Sequence, residues 1–97
     1  MQIGAIREFG ARVRQRRQAA GLSQAALAAS ADLDRLYLGR LERGGQNPTL
    51  LVMSRLAVEL GVTLEEMLAG IEIDPDEVRS VARLSRGPRR FPLDGNS

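Results

Sequence analysis

The segment RLYLGRLER, residues 35–43, concentrates side chains whose types and spacing could do chemistry. At helical spacing Leu36, Arg40 and Arg43 recur every three to four residues and so fall on one stripe. Arg35 joins that stripe from the first turn. A guanidinium is a planar fork of donors that fits guanine O6 and N7, or two phosphate oxygens, bidentately, and an aliphatic group can lie against a thymine methyl. The chemistry on offer is therefore the reading of double-stranded DNA. The plainer alternative for Arg35 and Arg40 is a solvated helix surface, although outward arginines on this helix favour base or phosphate contact. Leu36 stays open between a thymine contact and simple exposure.

These residues need a short, well-delimited helix, and the flanking residues supply its boundaries. Gly21 can take the left-handed conformation that ends a helix, and Ser23 then caps a new one from Gln24 to about Ala29, with Leu27 and Ala28 facing inward. Asp34 caps the next helix, whose apolar positions Leu38 and Leu41, with Leu33 just before the cap, form a buried stripe. From Gly21 to Pro48 this is the sequence form of two short helices around a tight turn, the second of them a recognition helix.

A first helix is predicted from about Ile6 to Ala20, with Ile6, Phe9 and Val13 inward and Arg17 next in the same period. A charge there requires a partner, and Glu42 lies on the inward side of the recognition helix, which allows a partly buried bidentate salt bridge. Beyond Pro48, Thr49 caps a fourth helix with Leu50, Met53, Leu56, Ala57 and Leu60 inward, stopped by Gly61. Thr63 and Glu66 form a capping box for a fifth helix, with Val62 and Met67 as its hydrophobic staple. Asp74, Pro75 and Glu77 repeat the cap, first-turn proline and capping-box pattern for a sixth helix to about Arg86. Its apolar stripe is Val78, Val81, Ala82 and Ser85, with Leu84 beside it, and Gly87 and Pro88 end it before a flexible tail.

Four ordered segments, GLSQAALA, LDRLYLGRLERG, NPTL and LAVELGVTLEEML, make the chain resemble the phage repressor and Cro type helix-turn-helix proteins, also called the xenobiotic response element family of bacterial regulators. The likeness runs from about Ile6 to Leu68, and LDRLYL is most similar to members that include restriction-modification controller proteins. It implies an all-α, five-helix lambda-repressor-like domain over 6–70; the cap pattern at Asp74 then gives a helical extension over 71–87, and 88–97 is a tail. It also implies the Arg17–Glu42 pairing and a phosphate contact by Gln24 at the start of the second helix.

The candidate DNA-facing set is then Ser23, Gln24, Asp34, Arg35, Leu36, Gly39, Arg40, Arg43 and Asn47. Arg43 and Asn47 suit backbone contacts, unless Asn47 only shapes its loop. Arg12, Arg14 and Arg16 either extend the phosphate footprint or form a solvated face. Three departures from the family pattern stand out. Asp32 occupies the turn where the family usually has Gly, which strains it slightly. Gly39 lies inside the recognition helix, where it either permits close approach to DNA or is merely tolerated. Leu51, Val52 and Val58 are apolar where the family is polar, and Leu51 and Val58, with Arg55 between them, make a second stripe on the fourth helix: a partner surface, or part of a cap by the sixth helix.

Composition is consistent with this expectation. A 97-residue chain fits one small domain that gains from dimerisation. Without cysteine or histidine it has no thiolate metal site and little to build an enzyme from, and no apolar run suggests a signal or membrane segment. No cofactor is implied, and a bacterial cytoplasm, at the nucleoid when DNA is bound, is the expected location. The formal charge of +2 is unevenly spread: residues 1–43 hold eight Arg against four acids, 44–77 one against seven, and 78–97 five against one. All the basic residues are Arg, which suits bidentate contacts and equally follows from a GC-rich genome. The expected function is sequence-specific regulation of transcription as a homodimer on a two-fold operator, paired through the C-terminal part by Met67 and Leu68 and the stripe of Val78, Val81 and Ala82, with autoregulation open. The alternative is a DNA-binding antitoxin or co-regulator that holds a protein partner through its Arg-rich C-terminal segment.

Overall fold

The computed structural model describes residues 3–81. Among the described residues every regular element is helical: α1 Gly4–Ala19, α2 Gln24–Ser30, α3 Arg35–Glu42, α4 Leu50–Leu60, α5 Leu64–Leu68 and α6 Pro75–Arg79. The boundaries are set by caps. Ser23, Asp34, Thr49 and Thr63 each accept a backbone N–H from the first turn that follows, and Thr63 and Glu66 exchange both bonds of a capping box. Each cap satisfies donors that the helix itself leaves unpaired.

The core is built from α1, α2, α3, α4 and α5 together: Phe9 and Val13, Leu27 and Ala28, Leu38 and Leu41, Leu56 and Ala57, and Met67, with Ala31 in the turn. Half-buried Leu22, Leu33, Tyr37, Met53, Leu60 and Val62 close its edges. Val62 and Met67 both pack there, as a staple around the Thr63 cap requires.

Four expectations change. Leu50 is 63% exposed rather than inward. At roughly 100° per residue it lies about 20° from Ala57 and so on the inward side, and its exposure comes from its place as the first residue of α4. Glu77 does not close a capping box on Asp74; its carboxylate instead accepts the Gly4 backbone N–H at 2.9 Å, capping α1 across the chain. The described α6 ends at Arg79, where Ser80 is its C-cap, and Val78 is 43% exposed. Of the expected stripe, Ala82, Leu84 and Ser85 lie outside the described residues, as does the tail. Met67 is fully buried in the core and so presents no surface to a second chain.

Candidate nucleic-acid interface

The recognition helix α3 is only eight residues long, too short to persist alone in water, so its orientation comes from outside it. Its N-terminus is fixed by Asp34, which accepts from the Leu36 and Tyr37 N–H groups at 2.7 and 3.3 Å. The turn from α2 passes through Asp32 at φ 58°, the left-handed region that a side chain resists. That conformation is supported on one side by the Leu33 N–H donated to the Ala28 carbonyl at 2.8 Å. A loose Arg55–Asp32 ion pair at 3.7 Å ties the turn to α4.

Two glycines seat α3 on α1. A Cβ built on Gly10 would fall inside the van der Waals envelope of the Leu41 carbonyl oxygen and 3.1 Å from that of Glu42. At the far end Gly44, at φ +81°, leaves room for the Arg7 stem, whose Cγ would lie 2.6 Å from an added Cβ. Neither contact was anticipated. The signal available for Gly10 was an isolated glycine in an otherwise helical pattern, where close packing is the usual reason for its presence.

Between those points lies a buried polar link. Arg17 and Glu42 are 8% and 6% exposed, and they pair bidentately: Arg17 Nε and Nη2 donate to Glu42 Oε2 and Oε1 at 2.7 and 3.0 Å. Arg17 Nη1 also donates to the Leu22 carbonyl at 2.8 Å. Hydrogen bonding to Glu42 raises the Arg17 pKa, and this outweighs the opposing effect of burial. Glu42 Oε1 accepts a further bond at 3.0 Å from Gln24 Nε2, so one carboxylate joins α1, α2 and α3. The expected pairing is present, and Gln24 extends it.

The candidate DNA-facing residues sort by position. Arg35, Leu36, Arg40, Arg43 and Asn47 are exposed, as are the caps Ser23 and Asp34, and Leu36 keeps 56% of its surface in solvent. Gln24 is half-buried, with the second N–H of its amide uncommitted to Glu42. Gly39 is buried: a Cβ there would meet Gln24 Oε1 at 3.5 Å and Arg43 Nη1 at 3.6 Å. Gly39 thus lies beneath the Gln24 amide and the Arg43 guanidinium rather than at the surface.

The α1 arginines divide. Arg14 is exposed, whereas Arg12 Nη1 donates to the Met67 carbonyl at 3.3 Å and to that of Ala69, capping the C-terminus of α5. Arg16 is half-buried beside Glu66. Among the described residues no cluster of His, Cys, Asp or Glu could hold a metal ion, and no helix is long and apolar enough to cross a membrane.

Comparison with known proteins matches the helix-turn-helix family profile to residues 13–67. The control protein C.MunI from a Mycoplasma species is 37% identical over 65 residues, covering 66% of this chain and 88% of its own length. Among solved structures, the restriction-modification controller protein C.AhdI from Aeromonas hydrophila aligns with TM-score 0.63 and 42% identity, over 64% of this chain and 94% of its own. The biofilm regulator SinR in complex with DNA aligns with TM-score 0.59 and 31% identity, over 62% of this chain and 97% of its own. With the profile covering more than half its length, and with a capped eight-residue helix bearing outward arginines where that profile lies, the chain belongs to the helix-turn-helix family of DNA-binding transcriptional regulators.

Proposed function

We propose that this chain binds a two-fold operator as a homodimer. Each copy lays α3 in the major groove, with Arg35 and Arg40 reading base edges and Leu36 facing a thymine methyl. Gln24, Arg43 and Asn47 hold the phosphate backbone, and the capped helix starts at Ser23 and Asp34 set the register. The observation that carries this reading is the stripe of Leu36, Arg40 and Arg43, exposed on a helix whose opposite face is locked to α1 through Glu42. An eight-residue helix spans about 12 Å, enough for a few base pairs and too few to locate a site alone. A dimer doubles the footprint and requires half-sites one helical turn, ~34 Å, or a multiple of it apart.

Exposed Leu68, Ile73 and Val78, at 36%, 59% and 43%, support a dimer surface in the C-terminal part. Autoregulation would place the operator upstream of its own gene. Footprinting that region tests the assignment, followed by Arg35→Ala and Arg40→Ala on operator and random DNA. Each variant is expected to lose ~1 to 3 kcal/mol on the operator and much less on random DNA. Equal losses on both would refute base reading.

A further inference from the structure

The α4 face turned away from the core is the feature that DNA binding leaves unexplained. Leu51 and Val58 are 61% and 71% exposed, two helical turns apart, and with the Arg55 stem they form a ridge. Across from it Ser30 at the end of α2 and Ala31 and Asp32 in the turn that follows line a groove of about 420 Å³ with Glu59 at its rim. Arg55 is engaged with Asp32 at 3.7 Å, so Glu59 gives the groove a net negative rim. An apolar ridge with a wall and an acidic edge fits an amphipathic helix that carries arginines.

The chain itself contains such a stretch. At helical spacing residues 78–86, VRSVARLSR, place Val78, Val81, Ala82 and Ser85 on one stripe and Arg79, Arg83 and Arg86 on the next. Glu77 anchors the start of that stretch at the α1 N-terminus, on the Met53 side of α4. Met53 and Arg55 stand about 160° apart around α4, so the groove lies on the other side of that helix. A copy's own stretch therefore starts on the wrong side of α4, while a second copy's is under no such constraint.

We propose that residues 78–86 of one copy dock in the Leu51–Val58 groove of a second, with Arg83 and Arg86 at the Glu59 rim. This rests on the dimer reading above and supplies the surface that receives the C-terminal segment.

The test is sedimentation of the full chain across a concentration series, with circular dichroism to verify the fold. Val58→Arg and Leu51→Gln change exposed positions only, and each is expected to weaken self-association by about tenfold or more. Arg83→Glu with Arg86→Glu is expected to do the same, and adding Glu59→Arg to that pair to restore association. A wild-type dimer whose mass is unchanged by Val58→Arg and Leu51→Gln overturns the docking proposal and leaves the dimer reading intact. A wild-type chain that stays monomeric, free and on a single half-site, overturns both.

Discussion

Replacing Glu42 by Ala removes three accepted hydrogen bonds at once, two from Arg17 at 2.7 and 3.0 Å and one from Gln24 at 3.0 Å. What remains is a buried arginine, Arg17 being 8% exposed, whose guanidinium keeps the Leu22 carbonyl as its partner. Breaking a buried pair from one side typically costs ~3 to 5 kcal/mol, because the surviving charge keeps its desolvation penalty and loses its compensation. The bidentate geometry makes the lost pair a strong one, but the Leu22 carbonyl still accepts from Arg17 at 2.8 Å and relieves part of the loss, which argues for the lower end, about 3 kcal/mol. For a domain of this size that corresponds to a fall of roughly 12 to 24 °C in Tm. Thermal and urea unfolding of Glu42→Ala, Arg17→Ala and the double variant measure it. The expected pattern is two similar single losses and a double loss well short of their sum. A Glu42→Ala chain that melts at the wild-type temperature, or a strictly additive double variant, would refute the reasoning.

Gly10→Ala forces a methyl group into the Leu41 carbonyl, backbone that cannot rotate away, and is expected to cost ~1 to 3 kcal/mol in urea unfolding; an unchanged midpoint would mean that α1 is free to lift off α3. Gly39→Ala is expected to act oppositely and stabilise by ~0.5 to 1 kcal/mol, since an added Cβ finds ordinary contacts at 3.5 and 3.6 Å and helix propensity rises; a lower Tm would show that the covering Gln24 and Arg43 cannot accommodate it. The Thr63 backbone N–H, aided by its hydroxyl, holds the Glu66 pKa below the usual carboxylate range. Its contribution to stability is therefore present above that range and lost as pH falls through the depressed value, so Glu66→Gln should flatten the acid limb of the stability curve. Burial raises the Tyr37 pKa above the usual phenol range, so stability is full below that range and declines as pH rises through it; Tyr37→Phe should remove this alkaline decline, read by denaturant titration at stepped pH.

Every expected N-cap is local information, a side chain that reaches a backbone N–H two or three residues on, and Ser23, Asp34, Thr49, Thr63 and Asp74 all sit where the sequence pattern places them. Arg17 and Glu42 were legible for a different reason: a charge arriving on a buried stripe demands an opposite charge, and only one fell on the inward side of α3. The contacts that escaped notice depend on where elements come to rest. Glu77 satisfies the capping-box pattern, yet Gly4, 73 positions away in sequence, supplies the N–H it accepts. Arg12 looks like an α1 surface charge until the end of α5 is placed against it. Leu50 follows the right spacing but occupies the first residue of its helix, where there is no neighbouring layer to cover it.

The same distinction bears on how DNA reading is supported. Arg35, Leu36 and Arg40 are exposed, so their identities can change at small cost to the fold, and on the proposed reading specificity can be altered there with little penalty. The orientation of α3 is set by contacts on its other side: the close approach at Gly10, the carboxylate of Glu42 and the Arg7 stem over Gly44. All three arise from α1 or point to it. A base contact depends on ångström-level placement of a guanidinium fork, so a shift of α1 moves every reading residue together, whereas a change in one reading residue alters one contact. Scaffold variants such as Gly10→Ala should accordingly cost the operator several base contacts at once, where Arg40→Ala costs one, while binding to random DNA, held by phosphate charge, falls less in both.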